Sequence, residues 1–243
     1  MNQYIRSEML LGEGSTAQLK QKRVAVFGVG GVGGHAAEAL GRSGVGTIDL
    51  FDNDTVSVTN INRQAVALHS TVGRLKVDVM RDRLLDIDPQ IKVNTYPIFY
   101  LPETADQVDL SVYDYIVDCI DTVSAKIDLA VRASQLGVPI VCAMGAGNKL
   151  NPMAFEVTDI YKTSVCPLAR VMRRELKARG VKKCKVVYSR EEARTPLDLE
   201  GGKQEGRRAT PGSLPFVPAA AGLLLASTVV YDLLDINNKE RKN

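Results

Sequence analysis

Apolar runs of strand length alternate with stretches of helical spacing from the first apolar run to about residue 145. The strand candidates are 24–27, 47–51, 92–96, 115–119 and 139–143. Between them the pattern predicts a helix from about Val32 to Ser43, stopped by Gly44-Val-Gly46, and one from about Gly73 to Ile87, ended before Pro89. A third, near 123–136, ends at Gly137. Such alternation argues for parallel βαβ units, so the predicted class is α/β: a Rossmann-like, mostly parallel sheet with helices on both faces.

The later part follows another pattern. Met153-Ala-Phe-Glu-Val157 alternates apolar and polar as a half-exposed strand does, extending the fold by a C-terminal antiparallel part. A basic amphipathic helix follows: Pro167 suits its first turn, Leu168, Val171, Met172 and Leu176 form one stripe, and Arg170, Arg173, Arg174 and Lys177 face elsewhere. Residues 198–213 have almost no apolar content and read as a mobile loop. The apolar run 216–234 is long enough to raise the question of a membrane span. Pro218 shortens the usable helix, and Ser227, Thr228 and Asp232 interrupt it, so a small-residue helix packed in a core or dimer interface is the favoured reading and no membrane is expected.

Composition narrows the setting. With 243 residues and 45% apolar content there is material for one sizeable domain, read as 1–243 with a nucleotide-binding core at 24–145. The net charge of +3 conceals a basic region: residues 161–210 hold fourteen Lys/Arg against six Asp/Glu, so one face could meet a polyanion. The first residues lack the basic end and apolar run of a signal peptide, and the four cysteines are far apart with no Cys-x-x-Cys pair. A reduced, cytoplasmic protein is expected.

The chemistry begins at Gly28-x-Gly30-x-x-Gly33, which follows a strand and opens a helix. Gly28 can make the tight turn, Gly30 can let the backbone approach phosphates, and Gly33 can allow close helix–sheet packing. Asp52, ending the next strand, is placed to accept from a ribose hydroxyl. These features specify a nucleotide without separating ATP from NAD. Arg63 and Lys76 add two cations suited to β- and γ-phosphates, which a dinucleotide does not need. Asp118-Cys-Ile-Asp121 closes the fourth strand, where Asp121 can hold Mg²⁺ against phosphates and Asp118 can tie down loop amides. Cys166 precedes a helix, but no histidine is near it in sequence, and Cys184 falls in a basic loop, so no thiol nucleophile is assigned. His35 and His69 read as packing or surface residues.

Together these residues resemble the ubiquitin-activating-enzyme-like adenylating superfamily, which includes the bacterial activators of sulfur-carrier proteins. The likeness rests on Val26-Phe-Gly-Val-Gly-Gly-Val-Gly33, Asp52-x-Asp54, Asn60-x-x-Arg63-Gln64, Val72-Gly-x-x-Lys76 and Asp118-Cys-x-Asp121. It implies ATP and Mg²⁺ held by Gly28, Gly30, Gly31, Gly33, Asp52, Asp54, Asn60, Arg63, Gln64 and Lys76, with the metal at Asp121. It also implies a homodimer in which Arg6 reaches the partner subunit's site. The second half is similar to one branch, the tRNA threonylcarbamoyladenosine dehydratases, through Met144-Gly-Ala-Gly-Asn-Lys-Leu-Asn-Pro152, Val157-Thr-Asp-Ile-Tyr-Lys-Thr163, Pro167-Leu-Ala169 and Pro211-Gly-Ser-x-x-Phe-Val-Pro218. What that branch implies is ATP-dependent ring closure on a modified adenosine beside the tRNA anticodon, through an acyl-adenylate, with Arg63, Lys76, Asp121 and Arg6 as catalytic groups. A sulfur-relay protein is a further partner candidate.

Two other classes compete. An adenylyltransferase acting on the C-terminus of a sulfur-carrier or ubiquitin-like protein would use the same ATP site, but the sulfur-carrier activators typically bear two Cys-x-x-Cys pairs, which this chain lacks. A NAD-dependent oxidoreductase would need only the glycine turn and Asp52.

Overall fold

The computed structural model describes residues 2–197 and 210–236. Its centre is a seven-stranded sheet of order β3-β2-β1-β4-β5-β7-β6. The strands are β1 (Arg23–Phe27), β2 (Thr47–Phe51), β3 (Lys92–Tyr96), β4 (Tyr115–Asp118), β5 (Ile140–Ala143), β6 (Phe155–Asp159) and β7 (Lys185–Ser189). All neighbours are parallel except β6, which runs antiparallel to β7 at the sheet edge. The helices are α1 (Ile5–Leu11), α2 (Ser15–Lys20), α3 (Gly33–Ser43), α4 (Lys76–Ile87), α5 (Val123–Leu136), α6 (Pro167–Ala178) and α7 (Phe216–Leu233). One apolar core joins α3, α4 and α7 to the sheet, and two others lie under α5 and α6, so both faces are covered.

The departures from sequence periodicity have local causes. The helix expected from Gly73 starts at Lys76, because Gly73 is left-handed (φ +88°) and residues 73–75 bond to the segment 55–56 instead. The strand expected from Met153 starts at Phe155, since Pro152–Ala154 forms a 3₁₀ turn capped by the Asn151 side chain. β7 lies outside the expected strands: Val186-Val-Tyr188 is a short apolar run among basic residues, and it becomes a strand by pairing on both sides, with β5 and β6. Cys184 is the last residue of the basic loop 181–184, as expected, and is buried there just before β7.

Pro218 does not shorten α7, for it is the third residue of that helix, where no intrahelical N–H bond is lost. By length and composition α7 could cross a membrane, yet half of that span is buried inside the fold. A Cβ on Gly222 would meet Val32 O at 2.4 Å and His35 Cβ at 2.9 Å, so α7 packs directly on the start of α3. Of the loop expected at 198–213, residues 198–209, including Arg207 and Arg208, lie outside the described residues.

Candidate nucleotide-binding site

The chain steps from β1 outward to β3, then returns to place β4 on the other side of β1. Beyond the C-terminal ends of β1 and β4 this reversal leaves the crevice in which open α/β sheets bind ligands. A cavity of ≈ 600 Å³ occupies it. Its floor is the turn after β1. Gly28 has φ +86°, and a Cβ there would stand 2.7 Å from Cys119 O, while one on Gly33 would meet Gly28 O at 1.8 Å. Gly30 has only Gln64 Nε2, at 3.9 Å, near its missing Cβ, so its backbone faces open space. The amides of Gly30, Gly31 and Val32 donate to no group among the described residues, and α3 has no side-chain cap. Three free N–H groups at a helix N-terminus form an anion-binding surface.

The side chains converge from four segments. Asp52, just past β2, accepts from Val29 N at 2.7 Å and Asp54 N at 2.8 Å. Burial pushes its carboxyl above the ordinary range, while the Lys76 charge and those two amides pull the other way. Lys76 opens α4 with its side chain in the cavity wall, donating to Asp54 Oδ2 at 2.6 Å, and its backbone N bonds Asp54 O. Asn60 lines the cavity and its Oδ1 accepts from Ser57 N, closing the 3₁₀ turn that delivers Arg63 and Gln64. The Arg63 stem lies over Gly31, and its guanidinium donates to Thr59 O and Asn62 Oδ1 rather than to Asp78 or Asp82. Gln64 lines the cavity and is 9% exposed; its Nε2 is the atom nearest Gly30, while its Oε1 is buried with no hydrogen-bond partner among the described residues.

Asp121 lines the opposite wall and is exposed. It is not a helix cap, since α5 is preceded by Thr122 and has no side-chain cap bond. Asp118 holds the Ile120 amide as expected, and it is also paired at 2.8 Å with Lys126, both side chains being fully buried. Sequence reasoning missed Lys126; its place eight residues after Asp118 on α5 is the signal that could have found it. It likewise missed Phe99, after β3, which is 47% exposed and lines the cavity beside Asp52.

Arg6 is not brought to this cavity. It is exposed on α1, next to Tyr4, whose hydroxyl bonds Asp88 and Gly41 at the C-terminal ends of α4 and α3, the edge of the sheet away from the crevice. The basic helix α6 is also less free than its sequence suggests. Arg173 turns inward and donates to Thr163 O at 2.6 Å, and Arg174 and Arg179 pair with Glu175. Arg170, Lys177, Lys182 and Lys183 are exposed and make no ion pair among the described residues. Cys166 caps nothing and is buried. No group of three or more His, Cys, Asp or Glu side chains suited to a metal occurs among the described residues.

The sequence model of the ThiF family matches residues 4–243. The chain is 42% identical over 252 residues to a tRNA threonylcarbamoyladenosine dehydratase of Bacillus subtilis, covering 100% of this chain and 99% of that protein. Its fold is similar to that of the E. coli tRNA N6-threonylcarbamoyladenosine dehydratase TcdA in complex with ATP, with a TM-score of 0.85, 31% identity, and 98% and 96% of the two chains covered. The AMP complex of the same protein gives a TM-score of 0.86 at 33% identity over 96% and 94% of the chains.

Proposed function

The chain belongs to the ThiF family, and on that premise we propose that it is an ATP-dependent enzyme that cyclises N6-threonylcarbamoyladenosine beside the tRNA anticodon, with loss of water, the whole of 1–243 acting as one adenylating domain. The observation that carries the reading is the meeting, in one crevice, of free glycine-loop amides, the Lys76 cation, the Arg63 side chain over Gly31 and Asp121. This set fits a triphosphate nucleotide better than a redox dinucleotide. No observation favours a second reading.

A carboxylate does not release hydroxide at neutral pH. Its oxygen attacks the α-phosphorus of ATP, forming an acyl-adenylate and expelling pyrophosphate. The ureido group then bonds to the acyl carbon and gives its proton to solvent, and AMP leaves with the former carboxylate oxygen. Gly30 and Gly31 amides hold phosphate oxygens and Asp52 the ribose, with Asp54, Asn60 and Gln64 completing the nucleotide pocket; Asp54 also holds Lys76, and Asn60 closes the turn that presents Arg63 and Gln64. Arg63 and Lys76 stabilise the departing pyrophosphate without reorganising, which is where preorganised charge is most effective. Asp121 would hold Mg²⁺, which asks for only one or two protein carboxylates and would supply further charge neutralisation.

Arg6 acts in the partner subunit of a homodimer, in keeping with its distance from its own crevice and the exposed Met9 and Leu10 beside it on α1. The unpaired cations of α6 and the 182–183 turn take the tRNA backbone. A cytoplasmic setting suits both substrates and the four free thiols. The test is to incubate the protein with ATP and tRNA carrying the modification, following AMP and nucleoside mass. AMP together with a nucleoside lighter by one water is expected. AMP formation that requires a small carrier protein and ignores tRNA would replace this reading with carrier activation.

A further inference from the structure

The cavity has two ends. Asp52, Phe99 and Tyr100 stand at the β2 and β3 side, and Ala146, Gly147, Pro211 and Ser213 at the β5 side. Nothing in the ATP reading uses the second end. Its outer wall is the strap 210–213, which follows the undescribed segment and enters α7.

The strap is pinned by two asparagines far from it in sequence. Asn148 N donates to Gly212 O at 2.8 Å, and Gly212 N donates back to Asn148 Oδ1 at 2.7 Å. The Asn148 carbonyl accepts from Arg194 N at 2.8 Å, so every one of these groups is engaged. Asn148 is left-handed (φ 60°), a conformation Asn tolerates better than most residues because its short amide bonds locally. The strap also lies tight on its neighbour: a Cβ on Gly147 would come within 2.9 Å of Pro211 Cβ. On the other side Asn62 Nδ2 donates to Ser213 O at 3.0 Å, while Asn62 Oδ1 accepts from Arg63 at 2.8 Å. One amide thus ties the strap to the guanidinium of Arg63, whose stem lies over the glycine loop.

We propose that this end of the crevice seats the carboxylate-bearing side chain of the modified adenosine, with Asn148 the positioning residue that holds the strap and Asn62 the link that sets Arg63 in register with it. This deepens the cyclase reading and rests on it. An acyl-adenylate in that end has two fates: attack by its own ureido group, giving ring and AMP, or attack by water, giving back the carboxylate and AMP. A fixed wall favours the first by holding the side chain folded and keeping water off the acyl carbon.

Three variants separate the side chain from the backbone. Asn148→Gly keeps the left-handed conformation and loses the Oδ1 acceptor; Asn148→Asp keeps both; Gly147→Ala pushes Pro211 away. Losing one such bond is expected to raise KM for modified tRNA about five- to tenfold in Asn148→Gly, with KM for ATP unchanged. AMP should then exceed cyclised product, against a ratio near one in the wild type and in Asn148→Asp, and Gly147→Ala should behave as Asn148→Gly does. Amide hydrogen exchange of Gly212 gives a readout independent of activity and should accelerate in Asn148→Gly alone of the two Asn148 variants. Accelerated exchange with wild-type KM and coupling would overturn the proposal, as would unchanged exchange. A wild-type enzyme inactive on modified tRNA would instead remove the cyclase reading, and the exchange measurement would still decide whether Asn148 holds the strap.

Discussion

The two ends of the crevice are built on different principles. At the nucleotide end each functional side chain is held by neighbours within its own segment or the next: Asp52 by Val29 and Asp54, Asn60 by Ser57, Lys76 by Asp54, Arg63 by Thr59. At the proposed acceptor end the ties join segments farther apart in the chain, Asn148 to Gly212 and Asn62 to Ser213. Phosphate and ribose are the same in every ATP, so a short motif with fixed spacing can recognise them. An acceptor differs from enzyme to enzyme, and its wall is assembled from loops far apart in sequence that the closed sheet sets side by side.

The comparison can be broken most severely beneath the nucleotide end. Lys126→Met leaves the Asp118 carboxylate buried without its cation, and stability should fall by about 3–5 kcal/mol in chemical denaturation. Changing both partners at once, Asp118→Asn together with Lys126→Met, should cost clearly less. Equal costs would mean that the pair is no anchor for the Cys119–Asp121 turn.

Next in size are Lys76→Ala and Asp121→Ala, each expected to remove about 3–4 kcal/mol of transition-state stabilisation, a few hundredfold in AMP formation, with normal circular dichroism. Near-normal AMP release by either variant would strike that residue from the nucleotide end. A smaller effect, a partial gain, is expected from mixing inactive Arg6→Ala with inactive Asp121→Ala subunits. Activity should recover in part, because the mixed dimer carries one intact site. A mixture that exchanges subunits yet stays inactive would return Arg6 to a structural role on α1.

The smallest effect concerns the proposed tRNA face. Reversing Arg170 and Lys177, both exposed and unpaired among the described residues, should lower the slope of log affinity against log salt by about 0.7–0.9 per lost phosphate contact. Arg173→Glu should instead destabilise the 163 turn that it braces. ATP affinity should be unaffected by Arg170 and Lys177; a change there would place α6 nearer the nucleotide than the fold does.

Much of this protein follows from its sequence without any contact map. The short apolar runs specified β1, β2, β4 and β5 because central parallel strands are buried on both faces, and Gly28 and Gly33 specified the phosphate turn because only a missing Cβ allows those approaches. Arg63, Lys76 and Asp121 were legible by charge and by their position just past strand ends, where a parallel sheet opens its crevice. Tertiary structure alone decided the rest. Val186-Val-Tyr188 became a strand through two partners, Arg173 turned inward to a turn ten residues away, Lys126 found Asp118 in the core, and Asn148 and Asn62 met a strap 64 and 151 residues along the chain. Periodicity and motif spacing report what a segment does to itself and its nearest neighbours. A hydrogen bond between distant segments depends on which loops the closed sheet sets side by side, and that is settled only when the apolar faces of all the elements are buried together.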